Sequence, residues 1–113
     1  MAQQDSSDRV QQGLKREYSE DKSKCLVTFW LAKEAAPEAR CIALAGTFNN
    51  WDEKSHLMDK LESGDFALTV ELEAGKEHEF RFLIDETHWE NAWNADKYVR
   101  SPYGECENSA VIT

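Results

Sequence analysis

The most constraining feature of this sequence is an alternation of apolar and polar side chains over residues 66–73 and again over 78–85. Successive side chains of a β-strand point to opposite faces, so this period places one set of residues in a core. The predicted core residues are Phe66, Leu68, Val70, Leu72, Phe80, Phe82 and Ile84. Because a short turn at 74–76 joins the two segments, we predict an antiparallel hairpin.

Three further segments have the composition of strands. Residues 25–32 have two fairly apolar faces, residues 41–45 form an apolar run that ends at Gly46, and residues 108–113 follow a turn-rich segment. A chain of 113 residues has room for one domain. Short strands joined by turns predict an all-β fold, an immunoglobulin-like antiparallel β-sandwich.

The N-terminal 23 residues differ from the rest because they are rich in Gln, Ser, Asp and Lys. Val10, Leu14 and Tyr18 recur every four residues, a spacing that also fits a short amphipathic helix over 8–18. We predict a disordered, flexible polar tail over residues 1–23 and the folded domain over residues 24–113.

The charge balance disfavours two classes of partner. The chain has 22 acidic and 13 basic side chains, for a net charge of −9. Nucleic acids and anionic membrane surfaces attract clusters of Lys and Arg, so no nucleic acid and no membrane is expected as a partner. A neutral polysaccharide incurs no electrostatic penalty from an acidic protein.

Targeting and metal-binding signals are also missing from the sequence. The N-terminal stretch has no apolar segment typical of a secretory signal, so a cytoplasmic location is expected. Cys25, Cys41 and Cys106 lack metal-binding spacing and are expected to be free thiols. Neither a metal nor a cofactor is expected. His78 shares the core face of its strand and is interpreted as a structural, hydrogen-bonded residue.

Aromatic residues are the candidates for a binding surface. The chain has four tryptophans, and Trp51, Trp89 and Trp93 lie in segments interpreted as loops or strand ends. Each is either a lid on the core or a platform for a ligand, because an indole ring has an apolar face and a polar N–H. Trp30, within a predicted strand, is interpreted as a packing residue. Phe48 is interpreted as a structural residue that closes the end of the sandwich.

The segment Ala45-Gly46-Thr47-Phe48-Asn49-Asn50-Trp51-Asp52 resembles the "G-x-F-N-x-W" signature of carbohydrate-binding module family 48. That family includes the glycogen-binding domain of AMP-activated protein kinase. It also includes the isoamylase N-terminal-like domains associated with glycoside hydrolase family 13. The resemblance continues in register through residues 64–66, 72–76, 79–85, 89, 95–98 and 108–112. In length, the chain is similar to the stand-alone bacterial members.

The resemblance implies a sandwich that presents Trp51, Arg81, Trp89 and Asn108 to an α-1,4-linked glucan such as glycogen, starch or a maltooligosaccharide. The chemistry of these side chains is compatible with that role. Tryptophan rings can stack on the apolar C–H faces of glucose, and polar groups can orient the sugar hydroxyls.

Arg81 lies on the strand face opposite Phe80 and Phe82, so we expect it to point away from the core. Its planar set of donors can bridge neighbouring hydroxyl groups. The alternative is a solvated arginine that pairs with Glu79 or with another acid. His88, next to Trp89, could lie at the rim of the same patch.

Two functional classes remain open, and catalysis is not expected in either. Glycosidases need two carboxyl groups on either side of one bond, and a small sandwich offers little depth in which to shift a carboxyl pKa. The predicted function is non-catalytic glucan binding. The alternative is a protein-interaction module that docks onto a glycogen-metabolising enzyme, because Trp and Arg are also enriched at interface hot spots.

Overall fold

The computed structural model describes residues 14–101 and 107–113, which form two antiparallel sheets around one core. The strands are β1 (Leu14–Tyr18), β2 (Lys24–Leu31), β3 (Ile42–Gly46), β4 (Asp59–Lys60), β5 (Phe66–Glu73), β6 (Glu77–Ile84), β7 (His88–Glu90), β8 (Lys97–Arg100) and β9 (Glu107–Ile112). Short 3-10 turns span Lys33–Ala35 and Thr47–Asn49. This architecture confirms the predicted all-β sandwich.

The two sheets differ in the continuity of their strand pairing. The first sheet has the order β1-β2-β5-β4, and β2 pairs with β5 along its whole length. The second sheet has the order β3-β6-β9-β8, and β7 also pairs with β6. Strand β6 therefore has two partners, β9 and β7, in addition to β3.

The core lies between the sheets and contains the residues that the alternation predicts. Most of the predicted set is buried, and Leu68 is half-buried and packs against the cluster. Strand β2 adds the alternating residues Cys25, Val27, Phe29 and Leu31, all buried. The rings of Phe80, Phe29 and Phe82 make edge-to-face contacts, with centroids 4.8 Å and 5.8 Å from that of Phe80. Each fully buried side chain of this size contributes about 1.5–3 kcal/mol of hydrophobic stabilisation.

The predicted tail is wrong over residues 14–18. These residues form β1, which pairs with β2 from Leu14↔Phe29 to Tyr18↔Cys25. Side chains tie the strand to the second sheet: Arg16 donates hydrogen bonds to Asp96 and to the carbonyl of Ile112, and the hydroxyl of Tyr18 donates to the carbonyl of Thr113. The four-residue spacing of the apolar residues gave no sign of these partners because they are more than 75 residues away in sequence.

Other predicted boundaries agree within about one residue, a normal margin for strand ends. The strand predicted at 25–32 is observed as Lys24–Leu31, and the one predicted at 41–45 as Ile42–Gly46. Cys25 and Cys41 are free thiols, as expected. The predictions for residues 1–13 and for Cys106 lie outside the described residues. Within the described ranges, the structure contains no helix of sufficient length and apolar character to span a membrane.

Candidate functional site

An open groove of about 450 Å³ lies on the outer face of the second sheet. All four residues that the sequence assigned to a binding patch line it, although they come from four separate segments. The described lining residues are Thr47, Trp51, Glu79, Arg81, Trp89, Ser101 and Asn108. The structure therefore brings the predicted residues together. Their role in binding remains a prediction.

The groove lies where β6 changes partner along one of its edges. Phe80 pairs with Ser109 of β9, and two residues later Phe82 pairs with Glu90 of β7. Arg81 falls between these two pairings and faces away from the core, as the alternation predicted. Arg81 therefore lines the groove together with Asn108 of β9 and Trp89 of β7.

Hydrogen bonds hold the polar residues of the groove in a chain. The Nε of Arg81 donates to the Oδ1 of Asn108 over 2.7 Å, and the Nδ2 of Asn108 donates to the Oε1 of Glu79 over 2.9 Å. Asn108 is only 6% exposed. Both ends of its amide are thus engaged within the protein, and Asn108 contributes to the groove mainly by holding its neighbours.

The loop that carries Trp51 is fixed by the asparagine of the signature. Asn49 accepts a hydrogen bond from the N–H of Gly46 and donates one to the carbonyl of Leu44, both at 3.0 Å. The N–H of Trp51 donates to the carbonyl of Gly46 over 2.8 Å. Asn50 and Trp51 adopt left-handed backbone angles, with φ of 56° and 59°. These angles turn the chain sharply after β3 and set the indole against the groove.

The glycine of the signature is explained by close packing. A Cβ at position 46 would lie 2.3 Å from the backbone oxygen of Glu79 and 2.8 Å from the ring of Phe48. The Phe48 ring is half-buried, and its centroid lies 5.9 Å from that of Phe29 and 5.8 Å from that of His56. These contacts confirm the structural interpretation of Phe48, whose ring packs against the core.

Trp89 is held by the short strand β7 and pairs directly with Leu83 of β6. Paired residues share a face, so both lie on the outer side of the sheet. Leu83 is nevertheless only 3% exposed. The half-buried indole of Trp89 therefore has a buried apolar neighbour across the sheet and lines the groove.

The turn that leads into β7 is fixed by Asp85. Its Oδ1 accepts hydrogen bonds from the backbone N–H groups of Arg40 and Cys41, both at 2.9 Å. These two bonds, that of Arg40 first, lower the pKa of Asp85 below its ordinary value because they stabilise the carboxylate.

Three lining residues were not assigned to the patch from sequence: Thr47, Glu79 and Ser101. Glu79 shares the outer face of β6 with Arg81, so the alternation could have identified it. The predicted alternative was a solvated Arg81 that pairs with Glu79 or with another acid. Among the described residues, no carboxylate lies within ion-pair distance of Arg81, and Asn108 links the two side chains instead.

The remaining tryptophans lie outside the groove. Trp30, interpreted from the sequence as a packing residue, alternates with the core residues of β2 and faces outward. It is half-buried, and its Nε1 donates to the carboxylate of Asp65 over 3.2 Å. Trp93 is 58% exposed and does not line the groove.

Two histidines clarify the limits of the site. His78 is buried and hydrogen-bonded to the carbonyl of Glu73, which confirms its structural interpretation. His88 does not line the groove: it pairs with Glu90 at 3.0 Å and lines a different cavity beside residues 35–39. Within residues 14–101 and 107–113, no group of three or more His, Cys, Asp or Glu side chains could hold a metal ion.

Comparisons with known proteins give one family and one fold. The family model for the glycogen recognition site of AMP-activated protein kinase matches residues 35–112. No curated protein matches the sequence. Among solved structures, the enterobactin esterase from Shigella flexneri is similar with a TM-score of 0.72 and 14% identity, over 96% of this chain and 34% of that chain. The ferric enterobactin esterase from Salmonella typhimurium gives 0.69 and 13%, over 96% and 36%. At this identity the likeness shows the fold alone, and this chain spans about a third of those enzymes.

Proposed function

The chain belongs to the family of the glycogen recognition site of AMP-activated protein kinase, a carbohydrate-binding family, and on that basis we propose that it binds an α-1,4-linked glucan without catalysis. The observation that carries the proposal is the composition of the groove. Trp51 and Trp89 both line it, and Arg81 lies on the strand between their two segments, anchored by Asn108.

The side chains supply the two kinds of contact that a sugar chain needs. The indole rings of Trp51 and Trp89 bury the apolar C–H faces of glucose units. The Nε of Arg81 is bound to Asn108, and its two Nη groups can donate to neighbouring hydroxyls. Aromatic burial thus provides most of the affinity, and the guanidinium provides orientation.

The dimensions of the groove limit both ligand and affinity. At about 450 Å³ it is near the lower end of the range for small-ligand sites. It therefore takes a short segment of about two or three glucose units, with the rest of the chain in solvent. An open groove buries little of its ligand, so the dissociation constant should be roughly 10 μM to 1 mM for a maltooligosaccharide.

The non-catalytic part of the proposal is supported by the acids at the site. Among the described lining residues, Glu79 is the single carboxylate. A glycosidase needs a pair of carboxyl groups, roughly 5–10 Å apart, on either side of the scissile bond. The resemblance to esterases in fold carries no activity to this chain, because it spans about a third of their length.

The physiological setting is also a proposal. A glucan-binding domain of net charge −9 suits a neutral polymer such as glycogen or starch in the cytoplasm. A glycogen-metabolising enzyme that acts on the same polymer is the protein partner that we propose, brought close to this domain by the shared glucan.

Isothermal titration calorimetry with two oligosaccharides tests the proposal. Maltoheptaose is α-1,4-linked, and cellohexaose is its β-1,4-linked counterpart. We expect saturable binding of maltoheptaose with a change in tryptophan fluorescence, and no measurable binding of cellohexaose. Equal binding of both sugars would remove the α-glucan specificity. If neither sugar binds, and if a protein partner binds that maltoheptaose does not displace, the interaction-module alternative is favoured.

A further inference from the structure

The groove contains one acid whose position the glucan contacts described above do not use. The Oε1 of Glu79 accepts a hydrogen bond from the Nδ2 of Asn108 over 2.9 Å. The Oδ1 of the same amide accepts from the Nε of Arg81 over 2.7 Å. A carboxylate, an amide and a guanidinium thus form one continuous chain at the floor of the groove.

This chain of bonds permits only one orientation of the amide. An ionised carboxylate only accepts hydrogen bonds, and a guanidinium only donates them. If the amide of Asn108 turned over, its NH₂ group would face the donor of Arg81, and its oxygen would face the acceptor of Glu79. Since Asn108 is only 6% exposed, water has little access with which to compensate. Two neighbours of opposite character therefore hold the amide from both sides.

We propose that Glu79 is a positioning residue of the groove, which acts on Arg81 through the amide of Asn108. This inference rests on the proposed function. With its Nε held by Asn108, Arg81 keeps one orientation, and no described residue accepts a hydrogen bond from its two Nη groups. These donors are then presented to the sugar at a fixed angle, which reduces the entropy lost on binding.

The main chain at Glu79 is held independently of its carboxylate. Glu79 pairs with Ala110 of β9, and its N–H donates to the Oγ1 of Thr47 over 3.2 Å. Replacement of the side chain therefore leaves β6 and the start of the Trp51 loop in place. This separation allows the positioning role to be tested without loss of the fold.

The test combines calorimetry on maltoheptaose with five variants. Glu79→Ala removes the acceptor, so we expect binding at least about fivefold weaker, on the scale of a lost buried hydrogen bond. Glu79→Gln keeps an acceptor oxygen and should restore affinity to within about twofold of the wild type. Glu71→Ala is the matched control: it removes the same side chain from an exposed position on β5, in the other sheet, and should leave affinity unchanged.

The last two variants, Arg81→Ala with and without Glu79→Ala, separate positioning from direct contact. In an Arg81→Ala background, addition of Glu79→Ala should weaken binding by less than about twofold, because a residue that acts through Arg81 has nothing left to position. A loss as large as in the wild-type background would overturn the proposal and make Glu79 a direct sugar contact.

A measurement on the free protein keeps the inference distinct from the proposed function. The Nε–Hε resonance of Arg81 in ¹⁵N NMR spectra should be sharp in the wild type, broadened by exchange in Glu79→Ala and recovered in Glu79→Gln. An unchanged resonance in Glu79→Ala would overturn the positioning role, even if maltoheptaose binds. Absence of maltoheptaose binding to the wild type would instead overturn the proposed function, and the resonance would still decide the role of Glu79.

Discussion

The outer faces of the two sheets each carry a tryptophan on a strand, but of these two only Trp89 lines the groove that contains Arg81 and Asn108. On the first sheet, Trp30 lies on β2, which pairs with β5 without interruption from Lys24↔Glu73 to Leu31↔Phe66. On the second sheet, Trp89 lies on β7, which becomes the partner of β6 where the pairing of β6 with β9 ends. Trp30 thus lies on a continuous ladder, whereas Trp89 lies beside the change of partner, where Arg81 and Asn108 line the same groove.

Polar groups on the two faces are satisfied in different ways. On the first sheet, the indole N–H of Trp30 is bonded to Asp65, and the hydroxyls of Thr28 and Thr69 bond to each other over 2.7 Å. On the second sheet, the chain of hydrogen bonds that links Glu79, Asn108 and Arg81 ends at the two Nη groups of Arg81. These donors have no acceptor among the described residues. Among the described residues, the outward-facing tryptophan of the second sheet, but not that of the first, therefore lies near donors that lack a described partner.

The largest effect is expected at the glycine beneath the groove. Gly46→Ala places a Cβ 2.3 Å from the backbone oxygen of Glu79, which cannot move without disruption of β6. We expect a loss of about 3 kcal/mol or more in the free energy of unfolding, measured by urea denaturation. Gly75→Ala, in the turn that joins β5 and β6, is the control. Its φ is +76° with open space around it, so about 1 kcal/mol is expected from backbone strain alone. Equal losses in the two variants would contradict the close-packing explanation.

Removal of either groove tryptophan should weaken glucan binding and leave the fold intact. Trp51→Ala and Trp89→Ala each lose one aromatic face, so the affinity for maltoheptaose should fall by at least about 1 kcal/mol, or about fivefold. Calorimetry measures the affinity, and circular dichroism checks the fold. Trp93→Ala is the control, because Trp93 is exposed but lies outside the groove. Wild-type affinity in both groove variants would place the site elsewhere.

On the first sheet, Trp30→Ala should have the opposite profile. The half-buried indole packs on the strand face and bonds to Asp65, so its loss should cost about 1–2 kcal/mol of stability. Affinity for maltoheptaose should stay unchanged, because Trp30 lies on the other sheet. Weaker binding of maltoheptaose with unaltered stability would indicate that the outer face of the first sheet also takes part in binding.

One aspartate in a turn of each sheet should contribute to the loss of stability at acid pH. Asp21, in the β1–β2 turn, has its pKa lowered to about 2, first by the N–H and hydroxyl of Ser23 and then by Ser19. Asp85, before β7, has its pKa lowered by the N–H groups of Arg40 and Cys41. A carboxyl group whose pKa is lower in the folded state than in the unfolded state stabilises the fold at pH values above its unfolded-state pKa. That contribution is lost as the pH falls through the folded-state pKa.

The unfolding free energy should therefore fall as the pH drops from about 4 to about 2. Urea denaturation across this range measures it. In Asp21→Asn and Asp85→Asn the dependence should be shallower, because the amide does not titrate. An identical slope in the wild type and in both variants would show that other carboxyl groups dominate the acid transition.

The smallest effect is expected from salt. A neutral glucan releases no counterions, so affinity should change by less than about twofold between low and high ionic strength. Calorimetry at low and at high NaCl concentration makes the measurement, because added salt shortens the Debye length over which charges interact. A steep loss of affinity with salt would mean that Arg81 recognises an anionic ligand and that the groove is not built for a neutral sugar.

The sequence by itself determined the layers of the sandwich and the residues of the signature. The alternation from Phe66 to Ile84 fixes which side chains enter the core, because successive residues of a strand must face opposite ways. The same rule placed Arg81 on the outside. The resemblance around Trp51 singled out the four candidate residues, and local geometry then explains why Gly46 and Asn49 belong to that signature.

Only the tertiary structure decided what lies beside each of these residues. The bonds from β1 to the second sheet, the pairing of β6 with β9, and the bonds from Asn108 to Glu79 and Arg81 all join segments that are far apart in sequence. Alternation reports the face of a residue but not its neighbour across the sheet, because strand pairing depends on the packing of the whole chain. For this reason the sequence misplaced the end of the tail, and it could not show that Trp30 bonds to Asp65 or that Asn108 is held between an acid and a base.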